Sequence, residues 1–265
     1  TPSSPFTHCG ASTQRIMLDV IIALLPATAA AIVIFGAPAL VPILSCVIAA
    51  VVSEFLFNAI TRRKQSIGDL SAVVTGLLLG LNLSTNVPVW QCVLGSVFAI
   101  VVVKCLFGGL GHNFANPAIS ARVFMLLAFS EVAGGAMPAV VELEASATPL
   151  ELIGSSADQL PSLMDMFLGL RGGAVGEGCI VALLIGYTYL CARKVIKWYV
   201  PAAFVGTVFV LFLAASGSFT TALYEIMAGG VFIGAIFMAT DYVTTPINNT
   251  GRVVFALGCG VITFI

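Results

Sequence analysis

Glu142-Leu-Glu-Ala-Ser-Ala-Thr148-Pro149-Leu150 sits at the centre of residues 131–173, the one long segment of this chain that is not apolar. Six of the twelve acids fall in that segment (Glu131, Glu142, Glu144, Glu151, Asp158 and Asp165), against a single basic residue, Arg171. Five apolar runs precede it and four follow. A loop this long between closely spaced hydrophobic runs is, as a rule, functional or disordered. Its cargo and the side of a membrane that it faces therefore decide how the rest is read.

The runs on either side set the class. The 265 residues are 59% hydrophobic and 9% charged, with a mean hydropathy of +1.09. Soluble domains carry about 25% charged residues. A shortage of charge spread along the whole chain points to an all-α polytopic membrane protein. The net charge of −1 provides no basic field for nucleic acid. Seven cysteines (9, 46, 92, 105, 179, 191 and 259) are scattered without a Cys-x-x-Cys. They read as thiols packed like small apolar residues, not as metal ligands or disulfides.

Working outward from the loop, apolar spans are expected at residues 16–35, 40–60, 70–81, 90–107 and 118–129 before it. After it they fall at 174–191, 199–215, 223–239 and 253–265, the last still apolar at Ile265 and so expected to be cut short. About 20 apolar residues cross a bilayer, so spans three and five are too short for simple crossings and suit broken or re-entrant helices. Basic residues mark the cytoplasmic side. With Arg62-Arg63-Lys64 placed there, Arg15, Lys104, Arg193, Lys194, Lys197 and Arg252 fall on or near the same side, and Arg122 lies toward it. Of eleven Lys and Arg only Arg171 is left outside, which makes the acidic loop extracytoplasmic.

A weak repeat runs through both halves. Gly76-LLLGLNLSTNV-Pro88 and Gly234-AIFMATDYVTT-Pro246 share Gly and Pro at the same spacing, with an Asn/Asp/Thr cluster before the Pro. They belong to spans three and eight, and an odd number of spans per copy inverts the second copy. Paired short, Gly/Pro-interrupted segments point to a central binding site in inverted-repeat membrane proteins; chance coincidence in a Gly-rich chain is the alternative. The expected architecture is about 9–10 transmembrane helices in two inverted repeats, some short or broken. Residues 1–15 form a polar lead-in, 16–130 a first repeat of five spans, 131–173 the loop, and 174–265 a second repeat of four.

Two polar segments on the cytoplasmic side could carry chemistry. Phe107-Gly-Gly-Leu-Gly-His-Asn113-Phe-Ala-Asn116-Pro117-Ala118 combines glycines, which permit close backbone approach, with Asn amides that both donate and accept. That suits the polar edge of a heteroaromatic ring, and equally a plain turn. Asp241, Thr244, Thr245, Asn248 and Asn249 form an oxygen-rich cluster. Such oxygens could hold a hard cation such as Na⁺, or simply cap a helix. Glu54, Lys104, Arg122 and Glu177 lie within or at the ends of spans, where ionisable groups are paired or functional. No nucleophile–His set, phosphate loop, dinucleotide fingerprint or iron–sulfur spacing is present. If electrons pass through this chain, an organic cofactor carries them.

The chain resembles the family of membrane subunits that includes RnfD of the Rnf complex and NqrB of Na⁺-translocating NADH:quinone reductase. The similarity runs through Ile16-Met-Leu-Asp-Val-Ile-Ile-Ala-Leu-Leu-Pro-Ala27, Asp69-Leu-Ser-Ala-Val-Val-Thr-Gly-Leu-Leu-Leu79, the 107–118 segment, Gly172-Gly-Ala-Val-Gly-Glu177 and Phe237-Met-Ala-Thr-Asp-Tyr-Val-Thr-Thr-Pro246. The resemblance implies that a flavin transferase esterifies FMN, through its phosphate, to a Thr in a motif similar to Asp-Gly-x-Ser-Gly-Ala-Thr. The matching residues are Glu142 to Thr148, which keep the Ala-Thr end and depart at the start. Thr148 is then the expected attachment residue, with Ser146 a neighbouring hydroxyl. It further implies a non-covalent riboflavin on the cytoplasmic side, contacted by Asn113 and Asn116 with Gly108 and Gly109 close by, and a path for electrons between the two flavins. Asp241 and Thr244 are the residues expected to offer a Na⁺ site.

A short stretch before the first span is more similar to RnfD than to NqrB, whose N-terminal extension is longer. The implied complex passes electrons from ferredoxin to NAD⁺ with Na⁺ or H⁺ movement across a prokaryotic cytoplasmic membrane. Its other subunits would be membrane and cytoplasmic iron–sulfur and NAD-binding chains and an FMN-bearing RnfG-type chain. A small-solute channel or transporter shares the short paired spans, and an anchor with vacant flavin sites is a third reading. A covalent flavin separates them.

Overall fold

The computed structural model describes residues 12–129 and 161–265. Among them every regular element is helical, in the order α1 (Thr13–Phe35), α2 (Leu40–Ile60), α3 (Ser71–Leu81), α4 (Val89–Val97) and α5 (Pro117–Ala128). After the loop come α6 (Leu163–Leu168), α7 (Ile180–Ala192), α8 (Tyr199–Ser216), α9 (Phe219–Met227), α10 (Val231–Ile233) and α11 (Asn249–Phe264). Two helices change pitch: α4 runs on as a π-helix over Phe98–Cys105, and α10 does so over Gly234–Met238. With residues 1–11 and 130–160 outside the described set, Thr148, Ser146 and most of the acidic loop lie outside it too.

The outer surface shows which solvent the fold expects. Along α2, Val41, Leu44, Ile48, Val52 and Phe55 are all exposed, a stripe at helical spacing. The opposite row, Ile43, Cys46, Ala50 and Glu54, is buried. Water would not leave such an apolar stripe uncovered; hydrocarbon does. Among the described residues three helices are long and apolar enough to cross a membrane, at Thr13–Phe35, Ala37–Ile60 and Tyr199–Ser216. A fourth crossing follows if α9 and the α10 segment, bent by 67° to one another, count as one broken span. Five shorter apolar helices fill the remaining sequence-expected positions.

In lipid, helices gain little from hiding apolar surface, and close backbone approach holds them instead. Gly76 and Gly80, one turn apart on α3, supply it. A Cβ on Gly76 would lie 2.7 Å from the Val47 Cα, and one on Gly80 2.7 Å from the Ile43 Cα. The backbone of α3 therefore rests directly on α2. Gly186 does the same for α7 against the Ala23 carbonyl of α1.

Helix α3 has 11 residues, about 16 Å, which is roughly half of a bilayer core. Its end carbonyls still need donors, because lipid supplies none. Asn82 and Leu83 close the Leu78, Leu79 and Gly80 carbonyls locally, and the 174–176 segment supplies the rest: Gly176 N–H donates to the Leu81 carbonyl at 2.7 Å and Val175 N–H to the Leu83 carbonyl just beyond at 2.9 Å. This corrects the sequence reading of span six. Residues 174–179 are not helical, the Val175 and Gly176 amides being engaged at the end of α3, and the helix starts only at Ile180. Span eight is corrected as well: it begins at Phe219 and breaks at Ala228-Gly229-Gly230, where Gly229 adopts φ of 70°. Both repeat segments nevertheless share a local order. Each is a short helix, then a polar non-helical stretch, then a helix starting just beyond the Pro, at Val89 and at Asn249.

Candidate functional site

The end of the bundle that carries most of the basic residues contains a cavity of about 740 Å³ of atom-free space, its open mouth included. Its walls come from six separate parts of the chain, one of them the end of α7 and the turn after it, with Leu190, Val195 and Ile196. The start of α1 brings Ile16 and Val20, α3 brings Ser71 and Thr75, and the π-helix brings Lys104. The 110–118 segment brings Asn113 and Asn116, and the end of the α10 segment brings Phe237, Thr240 and Asp241. Most of the lining is apolar, with a few polar groups aimed inward.

Asn113 is the decisive one. Its Oδ1 is fully buried and has no hydrogen-bond partner among the described residues. An unsatisfied buried amide oxygen costs about 1–3 kcal/mol, so a native protein keeps one only where something else fills the need. Asn116 differs: its Oδ1 accepts from the Ala118 and Ile119 N–H groups at 3.0 and 3.3 Å, capping α5 ahead of Pro117. Its side-chain amide is left for the cavity. Gly108 and Gly109 do not line the cavity. They adopt φ of 123° and 97°, which an L side chain resists, and Gly109 N–H closes back on the Lys104 carbonyl at 3.0 Å. They turn the chain sharply after the π-helix so that Asn113 reaches the cavity wall.

Asp241 lines the same cavity, so two segments read separately from the sequence meet at one place. Its Oδ1 accepts from the Val243 N–H at 3.3 Å and its Oδ2 from the Thr244 hydroxyl at 3.4 Å. The Thr245 hydroxyl donates to the Asp241 carbonyl at 2.6 Å. Burial pushes the Asp241 carboxyl above its ordinary range, while Val243 and Thr244 pull it back. Asn248 is a helix cap, accepting from the Gly251 N–H at 2.7 Å, and Asn249 Oδ1 accepts from the Tyr199 hydroxyl. The oxygen-rich cluster is thus partly spent on turn and cap geometry. Among the described residues no set of three or more His, Cys, Asp or Glu could hold a metal ion; any cation at Asp241 would rely on hydroxyl and carbonyl oxygens.

A family model described as NQR2, RnfD, RnfE matches residues 1–265. The chain belongs to that family. It is 42% identical over 267 residues to the D-type subunit of the Na⁺-translocating ferredoxin:NAD⁺ oxidoreductase complex of Acetobacterium woodii, covering 99% of this chain and 83% of that one. It is 37% identical to the D-type subunit of the proton-translocating ferredoxin:NAD⁺ oxidoreductase complex of Clostridium ljungdahlii, over 98% and 84%. It is 34% identical to the D-type subunit of an ion-translocating oxidoreductase complex of Stutzerimonas stutzeri, over 96% and 82%.

For this NQR2, RnfD, RnfE family member, sequence reasoning found Asn113, Asn116 and Asp241 but missed the rest of the polar lining. Ser71, Thr75, Thr240 and Tyr242 also face the cavity. Ser71 and Thr75 stand one helical turn apart on α3, with the Thr75 hydroxyl donating to the Ser71 carbonyl at 3.0 Å; that spacing was the available signal. The four in-membrane ionisable residues resolve into two pairings. Lys104 Nζ bonds Glu54 Oε1 at 2.8 Å, with both side chains almost fully buried. Glu177 interacts with the charges of both Arg122 and Arg171, and Arg171 Nη2 donates to the Glu177 carbonyl at 3.1 Å.

Proposed function

We propose that this chain is the D-type subunit of an ion-translocating oxidoreductase complex and that its cavity holds a non-covalent riboflavin. The observation that carries the reading is the buried, partnerless Asn113 Oδ1 on the wall of an open, mostly apolar cavity. An isoalloxazine offers both a ring N–H to donate to that oxygen and ring carbonyls to accept from the Asn116 amide. Apolar walls from α1, α3 and the α10 segment suit its flat faces. When bound, the flavin supplies the electron-accepting and electron-donating chemistry. This chain's residues orient it, exclude water and set the field around it through Lys104 and Asp241.

The similarity to relatives named as D-type subunits favours an Rnf-type complex over an NqrB-type one. The family resemblance adds a covalent FMN on Thr148 in the extracytoplasmic loop, attached by a flavin transferase. Electrons would then pass between a flavin outside and one near the cytoplasm, with iron–sulfur and NAD-binding partner subunits completing the reaction. Relatives are named for Na⁺ in one case and protons in another, so the coupling ion of this chain rests on its own residues. Asp241 with Thr244 is the proposed cation ligand set.

Two flavin assays test the reading together. Denaturation of the purified complex releases non-covalent flavin, and the Asn113→Leu variant should retain less than a tenth of it. In-gel ultraviolet fluorescence with mass spectrometry of residues 145–150 should show FMN on Thr148 and none in Thr148→Ala. A wild-type chain with neither flavin would overturn the function and favour a channel or scaffold.

A further inference from the structure

The Lys104–Glu54 pair is the middle of a longer hydrogen-bond chain. Lys104 Nζ donates to Ser71 Oγ at 2.6 Å as well as to Glu54 Oε1 at 2.8 Å. The Ser71 hydroxyl donates in turn to Asp69 Oδ1, and the Ser71 N–H donates to the same oxygen at 2.8 Å. On the other side the Ser66 hydroxyl donates to Glu54 Oε1 at 2.6 Å and accepts from Asn58 Nδ2 at 3.0 Å. Lys104 and Glu54 are each 1% exposed, whereas Ser66 and Asp69 are more open, just beyond Arg62-Arg63-Lys64. At its inner end the chain reaches the cavity, since Lys104 and Ser71 stand in its wall.

A purely structural ion pair leaves two features unexplained. Glu54 Oε2 is fully buried yet has no hydrogen-bond partner among the described residues, although a carboxylate kept only for pairing would satisfy both oxygens. Lys104 also sits on the π-helical turn Phe98–Cys105, a distortion that concentrates at functional positions.

We propose that Asp69, Ser71, Lys104 and Glu54 form a proton-transfer chain from the basic face to the cavity, supplying a proton to the ring bound there when that ring takes up an electron. This rests on the flavin reading above. In the step one N–H bond of the Lys104 ammonium breaks and one N–H bond forms on the ring. The electron comes from an iron–sulfur or flavin donor in a partner subunit. The amine regains its proton from Ser71 as that hydroxyl turns, Ser71 from the Asp69 carboxyl, and Asp69 from water. The net change is one electron from the donor and one proton from water added to the ring. Glu54 drives the refilling: while Lys104 is neutral, Glu54 is a lone buried carboxylate, and that state is strongly unfavourable. The other charged or titratable groups around Lys104 are Arg63, which donates to the Cys105 carbonyl, and the Cys105 thiol. Asp241 and Tyr242 lie on the wall of the same cavity.

The test uses the complete complex and first measures non-covalent flavin in the wild type; its absence there overturns the flavin reading and this one with it. The variants are Asp69→Asn with Ser66→Ala, which leave the buried pair intact, and Lys104→Met with Glu54→Leu, which remove both buried charges together. Asp69→Asn/Ser66→Ala should keep its flavin; for Lys104→Met/Glu54→Leu, which alters the cavity wall, rates are taken per flavin bound. Single-turnover reduction of that flavin should slow at least tenfold in both, with the solvent deuterium isotope effect altered from the wild-type value. A second readout needs no flavin. In flavin-free, ¹⁵N-lysine-labelled protein, deuterium exchange at Lys104 Nζ should be at least tenfold slower in Asp69→Asn/Ser66→Ala than in wild type. Variants that retain flavin and show wild-type reduction rates, isotope effects and exchange overturn the relay and leave the flavin site standing.

Discussion

Asn113 presents a buried carbonyl oxygen to a cavity and to nothing else among the described residues. Replacing it by Leu removes an unsatisfied acceptor, so the flavin-free protein should be as stable as wild type or gain about 1 kcal/mol. A thermal melt that instead fell by several degrees would show that Asn113 holds the fold and not a ligand. Asp241 behaves differently because it titrates. Burial raises its carboxyl, so the folded chain keeps that proton to higher pH than the unfolded chain, whose value is about 3.9. Its contribution to stability is therefore largest below that value and is lost as pH rises toward the raised folded value. A cation competes with the same proton. Na⁺ affinity should weaken about tenfold per pH unit below the folded value, and Asp241→Asn should abolish that dependence in a ²²Na⁺ binding titration. Unchanged Na⁺-dependent transport in Asp241→Asn would remove it as a ligand.

At the level of elements, the contact between α2 and α3 has no slack. Gly76→Ala places a methyl 2.7 Å from backbone, an overpacking expected to cost about 1–3 kcal/mol. Gly258→Ala on α11 meets nothing within 4 Å and should stabilise by about 0.5–1 kcal/mol; melts of the two variants in the same detergent check both. Element existence was legible because lipid imposes one rule everywhere: apolar runs become helices. The misplacements share one cause. Residues 174–179 were read as the start of a span, but the Val175 and Gly176 amides serve the carbonyls at Leu83 and Leu81, a long-range demand that leaves no local pattern. The break at Gly229 had a visible signal in Ala228-Gly229-Gly230. Its reason lies elsewhere in the fold: a Cβ on Gly230 would meet Glu177 Oε1 at 2.7 Å.

Across the whole molecule, the basic-residue argument groups Lys104, Lys194 and Arg252 on one side, and the structure gathers the cavity lining around that end. If the end is cytoplasmic, a thiol placed at the 94% exposed Ile247 should react with an impermeant maleimide only in inverted vesicles. One placed at Ser146 should react only in right-side-out cells; labelling of both from one side would refute the topology. The candidate site was half legible. Asn113, Asn116 and Asp241 stood out as polar residues among apolar ones, whereas Ser71, Thr75 and Lys104 owe their role to convergence of α3 and the π-helix on one cavity. Beyond the one-turn spacing of Ser71 and Thr75, no local pattern encodes that meeting.

The interrupted end of α3 also constrains how the protein is made. The Leu78, Leu79 and Gly80 carbonyls are met locally by Asn82 and Leu83, whereas those of Leu81 and Leu83 are met by the Gly176 and Val175 amides. At ~5–20 residues per second, the ribosome needs roughly 5–20 s to supply those donors after Leu81 has been synthesised. During that interval the Leu81 and Leu83 carbonyls lack the donors they have in the folded chain. The end of α3 is therefore closed only when the second half of the chain has been made.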